Sequence, residues 1–123
     1  ECGVRLVDHV TIMVMSGVDD GSLMVFRSEA DGIRTGTQWL ITVGRNDNND
    51  LCLKNDTFVS RNHANLTWRD GGWWLEDKDS TNGTFLENEK DFFMDERVRG
   101  SIPIDPGQLF RVGRTWLRIQ VTD

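Results

Sequence analysis

The chain has 123 residues, with 14 Lys and Arg against 20 Asp and Glu, giving a formal net charge of −6. That is the length of one domain with a sizeable core and too short for two. No apolar run approaches the roughly 20 residues of a membrane span, and the acidic balance argues against a nucleic-acid binder, which needs clustered Lys and Arg to displace phosphate counterions. It leaves room for a small basic site that grips one phosphate.

Residue types sharpen the fold class. Two Ala, six Glu and three Lys stand against 14 Asp, eight Asn and 12 Gly, a balance that favours turns over helix interiors. The first residues, Glu1-Cys2-Gly3-Val4-Arg5, are not a basic start to a hydrophobic signal, and the expected location is cytoplasmic, or nuclear in a eukaryote. Residues 1–8 read as an N-terminal extension and 9–123 as the domain. Cys2 and Cys52 are too few and too far apart for a metal knuckle or a disulfide framework. A single Cys2–Cys52 bridge, the cut end of a zinc ribbon and a stray terminal cysteine are the readings that remain.

In chain order, apolar residues alternate with the period of two that marks strands with one face buried. Val10, Ile12 and Val14 share a face, followed by a turn at 16–21. Leu23 with Val25 repeats the pattern. Residues 28–38 read as a polar loop or hairpin. Ile41 with Val43 comes next, then the Asn and Asp cluster 46–50, then Leu51 with Leu53. Ala64, Leu66 and Trp68 precede a turn at Asp70-Gly71-Gly72, with Trp73 and Trp74 on its far side and at least one or two of these three tryptophans expected in the core. Residues 87–101 form an insertion, read as a loop or single helical turn that tucks Phe92, Phe93 and Met94 under the sandwich edge, or else presents them to a partner. Asp105-Pro106-Gly107 suits a type II turn, and Leu117, Ile119 and Val121 close the chain. Many short strands at this spacing predict an all-β fold, an antiparallel β-sandwich of about ten strands.

Three polar stretches fall at strand ends: Gly44-Arg45, Ser60-Arg61-Asn62-His63 and Ser80-Thr81-Asn82-Gly83-Thr84. Loops at one end of a sandwich gather residues distant in sequence. Arg45, Ser60, Arg61, Thr81 and Asn82 would then supply guanidinium groups, hydroxyls and an amide, the donor set of an anion site.

These motifs, with Ala64, Phe85-Leu86, Pro106-Gly107 and the closing Phe110-Arg111-Val112-Gly113-Arg114-Thr115, make the chain resemble the forkhead-associated (FHA) domain, over roughly residues 40–121. The resemblance implies an eleven-stranded sandwich that binds phosphothreonine peptides through loops at one end, with no catalytic residue and no cofactor. Carried over residue by residue, it implies that Arg45 and Ser60 bind the phosphate and that Arg61 is a further phosphate or ligand contact. Thr81 would lie beside the phosphothreonine and Asn82 would hold the ligand main chain. Gly44, His63 and Gly83 would shape the loops. Phe58 falls where the family selects the ligand residue three beyond the phosphothreonine, which predicts an apolar or uncharged preference. The chain departs from the family pattern at Glu87-Asn88-Glu89 and at Gln108.

Competing readings are weaker. Ser60, His63 and Asp56 or Asp79 suggest a hydrolase triad, but residues three apart do not readily pair and no nucleophile elbow is present; His63 reads as a structural hydrogen-bonding residue, and His9 as inert. The cluster 46–50 lacks a ligand at Leu51 and reads as turn rather than calcium loop. Arg69, Arg111 and Arg118 read as solvated outer-face residues. Three sequons, at Asn55, Asn65 and Asn82, and five Trp suggest a secreted carbohydrate-binding sandwich. An FHA-like scaffold for a non-phosphorylated partner is the other alternative. Eleven of the 14 basic residues are Arg, the planar form suited to phosphate oxygens.

Overall fold

The computed structural model describes residues 9–87 and 95–120, which form β-strands joined by turns and loops. The strands are β1 (His9–Ser16), β2 (Leu23–Arg27), β3 (Ile33–Thr35), β4 (Gln38–Gly44), β5 (Leu51–Cys52), β6 (Ala64–Arg69), β7 (Gly72–Asp77), β8 (Thr84–Leu86), β9 (Glu96–Arg97), β10 (Ser101–Ile104), β11 (Leu109–Val112) and β12 (Thr115–Ile119). One sheet runs β2-β1-β12-β11-β8-β9 and the other β10-β7-β6-β4-β3, with β5 added beside β4. Every pairing is antiparallel except β4 with β5, which is parallel. The architecture is the expected all-β sandwich, and with β5 and β9 only two residues long its twelve described strands sit close to the eleven implied by resemblance.

Alternation builds the core. Val10, Ile12, Val14, Phe110, Val112, Leu117 and Ile119 from one sheet meet Trp39, Ile41, Val43, Ala64, Leu66, Trp73 and Leu75 from the other, all buried. Trp68 packs against this core from its edge. Trp74 instead faces outward, with the Arg69 guanidinium 4.0 Å above its ring.

β2 corrects the sequence reading. Leu23 and Val25 are 56% and 52% exposed, while Phe26 is buried and Met24 packs on the core. The run Leu23-Met24-Val25-Phe26 is apolar on both faces, so its own periodicity does not choose between them. Pairing with β1 does: Phe26 lies opposite Val10 and Met24 opposite Ile12, and directly opposed residues share a face.

Residues 28–38 resolve into turns and a hairpin, β3 pairing with β4. Within the insertion, residues 95–101 carry β9, which pairs with β8, and no helical turn. Phe92, Phe93 and Met94 lie outside the described residues, as do Cys2 and Val121. The turn at 105–108 closes through the Gln108 N–H on the Asp105 carbonyl at 3.1 Å. Arg111 and Arg118 are half-buried rather than freely solvated: Arg111 lies 4.3 Å over the Phe85 ring, and Arg118 donates to Gln120 Oε1.

Candidate phosphopeptide-binding loops

The polar motifs lie on segments that hydrogen bonds tie into one surface. β4 ends at Gly44, and the strand end lies against the loop before β6: the Arg45 N–H donates to the Ser60 carbonyl at 3.0 Å and the Asn46 N–H to the Arg61 carbonyl at 3.3 Å. This approach requires glycine at 44, because a Cβ there would sit 2.2 Å from the Arg61 carbonyl oxygen and 2.6 Å from Asn49 Nδ2. Asn49 is itself buried and donates through Nδ2 to Arg61 O at 2.6 Å and Asn46 O at 2.9 Å. Asp50 accepts from Gly32 N, Thr42 N and Thr42 Oγ1. The 46–50 cluster thus uses its side chains to brace the strand end.

His63, fully buried, joins two loops. Its Nδ1 accepts from the Ser60 N–H at 2.9 Å, which leaves Nε2–H to donate to the Gly83 carbonyl, also at 2.9 Å. That tautomer is assigned from the network. Burial lowers the His63 pKa below its ordinary 6.5, against smaller opposing effects of the Gly83 carbonyl and the Asp77 and Asp56 carboxylates. Both ring nitrogens are occupied, so neither is left for Ser60 Oγ, and the triad reading has no geometry here. Ser60 Oγ instead accepts the Thr81 N–H at 3.1 Å.

The 80–84 turn is held from beneath by Asp77. Its Oδ2 accepts from Ser80 N, and its Oδ1 accepts from Ser80 Oγ at 2.5 Å and Thr84 Oγ1 at 2.7 Å. Ser80 Oγ in turn accepts from Gly83 N. Asn82 reaches across to donate from Nδ2 to the Phe58 carbonyl at 2.9 Å, leaving its Oδ1 without a partner among the described residues. The result is a rim on which Arg45, Arg61, Thr81 and Asn82 are exposed and Ser60 is half-buried. Among the described residues neither arginine forms an ion pair.

Residues 41–113 match the model of the FHA domain. The chain belongs to the FHA domain family. It is 31% identical over 99 residues to the FHA domain-containing protein FhaB of Mycobacterium tuberculosis, a match covering 80% of this chain and 59% of FhaB. The chain therefore spans about three-fifths of that relative's length. Among solved structures, one from a structural and functional analysis of phosphothreonine-dependent FHA domain interactions superposes with a TM-score of 0.68 at 24% identity, covering 94% of this chain and 98% of the other. Mycobacterium tuberculosis EmbR, in complex with a low-affinity phosphopeptide, gives a TM-score of 0.68 at 18% identity over 93% of this chain and 24% of EmbR. These two likenesses establish the sandwich fold of the FHA domain.

Residues that reading by motif did not pick out as part of the site include the carboxylates beneath it. Asp56, buried at 2% exposure, accepts from Phe58 N at 2.9 Å, Arg114 N at 2.9 Å and Thr115 Oγ1 at 2.7 Å. Two of its partners, Arg114 and Thr115, lie 58 and 59 residues away, beyond any local pattern, whereas Asp77 and Ser80, three apart before a Gly, carry a readable turn signature. The tryptophans weaken the carbohydrate alternative: Trp39 and Trp73 are buried and Trp74 is covered by Arg69. Of the sequon asparagines, Asn82 is engaged with Phe58 O and Asn55 with Asp19 Oδ1.

Proposed function

We propose that this FHA domain is a non-enzymatic reader of phosphothreonine in a partner protein, part of a cytoplasmic signalling or scaffold protein that is longer than the chain, as FhaB is. The observation that carries the reading is the convergence, on hydrogen-bonded loops at one surface, of a bridging serine, an asparagine and two arginines that form no ion pair among the described residues. Arg45 and Arg61 offer forked donors to phosphate oxygens. Ser60 Oγ spends a lone pair on Thr81 N, which leaves its O–H available to donate to the phosphate. Asn82 keeps Oδ1 to accept a ligand N–H, with Thr81 beside the phosphothreonine; Gly44, His63 and Gly83 hold the loops in place. The phosphothreonine interactions of the FHA structures in the first solved likeness support the same ligand.

The test is fluorescence anisotropy with matched Thr and phosphothreonine peptides. Hydrogen bonds to charged groups contribute about 1.5–3 kcal/mol, so Arg45→Ala should weaken phosphopeptide binding by roughly tenfold or more. Equal binding of the two peptides, or no loss with Arg45→Ala, refutes the reading. The scaffold alternative, with Phe92, Phe93 and Met94 as a second contact, would be favoured if deleting residues 89–95 abolished partner capture and left phosphopeptide affinity intact.

A further inference from the structure

Next to Asn82 the structure holds a second basic element that the motifs do not assign. The Phe58 ring is 38% exposed, and the guanidinium carbon of Arg114 stands 3.8 Å from its centroid, over the ring. Arg114 sits in the two-residue turn between β11 and β12, far from Phe58 in sequence. One buried carboxylate fixes both backbones, Asp56 accepting from Phe58 N through Oδ1 and from Arg114 N through Oδ2. The turn also presses against the Phe58–Val59 backbone: a Cβ on Gly113, whose φ is +62°, would come within 3.0 Å of Phe58 C and Val59 N. On its other side Phe58 is linked to Asn82, which donates to its carbonyl. The Phe58 and Arg114 pair is therefore continuous with the proposed ligand rim and rigidly joined to it.

Stacking sets what Arg114 can do. The ring occupies one face of the guanidinium, while the N–H donors radiate in its plane and stay available. Arg114 is exposed and, among the described residues, forms no ion pair, although acids outnumber bases in the chain. A held, unpaired cation at the edge of a peptide-binding rim is complementary to a carboxylate. The geometry points to an acid-selective subsite in which Phe58 is the platform and Arg114 the reader of an Asp or Glu side chain flanking the phosphothreonine. This inference rests on the phosphothreonine reading. It reverses the apolar or uncharged preference expected from Phe58 alone, because a guanidinium covers one face of the ring.

The test is a walk of Glu, Gln and Leu through each position flanking the phosphothreonine of one peptide, with affinity measured by anisotropy against wild type, Arg114→Gln and Arg114→Lys. The side chain of Arg114 is exposed and its backbone makes the anchoring bond, so these variants keep the fold. At one position the wild type should favour Glu over Gln by about three- to fivefold, the upper range for a single exposed ion pair. That ratio should fall towards one in Arg114→Gln, recover partly in Arg114→Lys and shrink as salt is raised. Phosphate-dependent binding with no position favouring Glu, with Leu favoured, or with the Glu preference intact in Arg114→Gln overturns this inference alone. Absence of phosphate-dependent binding for every peptide overturns the phosphothreonine reading and this inference together.

Discussion

Gly44→Ala tests how tightly the rim is assembled. The added methyl would lie 2.2 Å from the Arg61 carbonyl oxygen, 2.6 Å from Asn49 Nδ2 and 2.9 Å from the Arg61 carbonyl carbon. Two of the three obstructing atoms are backbone, so relief requires the 60–61 segment to retreat from β4 by roughly 1 Å to reach ordinary contact. That movement stretches Arg45 N to Ser60 O from 3.0 Å, Asn46 N to Arg61 O from 3.3 Å and Asn49 Nδ2 to Arg61 O from 2.6 Å. Three weakened hydrogen bonds, at about 1 kcal/mol each, put the cost near 2–4 kcal/mol. For a domain of this size that is a drop in melting temperature of roughly 10 °C. The variant should also bind phosphopeptide several-fold more weakly, since Arg45 and Ser60 move apart. The control is Gly72→Ala, where a Cβ meets nothing within 4 Å and φ is not positive; replacing a strand Gly there should be neutral or stabilising by about 0.5–1 kcal/mol. Thermal melts and anisotropy on both variants decide the matter. A Gly44→Ala protein that melts within about 2 °C of wild type and binds normally would show that the close approach of the two loops is not what assembles the site.

Four further outcomes follow from the same network. Asp56→Ala strands three donors under the rim and should cost about 2–4 kcal/mol, read as a shifted urea midpoint; a midpoint within error of wild type refutes that anchoring role. Because burial holds His63 below its ordinary 6.5, the unfolded chain takes up this proton first. Stability is then complete above pH 6.5 and falls as pH drops through that value towards the lowered folded pKa, by up to about 1.4 kcal/mol per pH unit; urea midpoints that stay flat from pH 7.5 to 5.5 contradict the neutral, two-sided imidazole. Phosphopeptide affinity should decline below about pH 6, where the second phosphate proton returns, and an unchanged anisotropy titration between pH 7.5 and 5 counts against dianion recognition. On β2, Phe26→Ala should destabilise by about 3 kcal/mol or more and Leu23→Ala by about 0.5 kcal/mol or less; the reverse order of melting temperatures would mean that the strand presents its other face.

The fold was legible wherever alternation was one-sided. Val10-Thr11-Ile12-Met13-Val14 and Leu117-Arg118-Ile119 announce both strand and inward face, and both faces are as expected. β2 was legible as a strand and not as a face, because its register against β1 is a property of two segments together. The two residues of β9, Glu96 and Arg97, carry no apolar signal, and their pairing with Phe85 and Leu86 emerges only from the assembled sheet. At the candidate site, the side chains with ligand chemistry were visible as short motifs. Their supports were not: Asp56 serves Arg114 and Thr115 across nearly half the chain, and nothing local to Phe58 signals that a guanidinium will cover its ring.

The placement of the acids reconciles a net charge of −6 with an anion site. Three carboxylates beneath the rim are consumed as internal acceptors: Asp50, Asp56 and Asp77 each take three donors from backbone and hydroxyl groups. They brace the loops and, among the described residues, form no ion pair with Arg45, Arg61 or Arg114. Those cations remain exposed on loops and turns that hydrogen bonds join into one surface, and the exposed acids, Asp47 and Asp79 on the same loops among them, act on a bound phosphate through solvent, where attraction and repulsion fade over a Debye length of about 8 Å at physiological ionic strength. A single phosphorylated residue fits within that range of the arginines. A polyanion extends beyond it and meets the acidic remainder of the surface, so the same charge distribution that admits one phosphate works against nucleic acid.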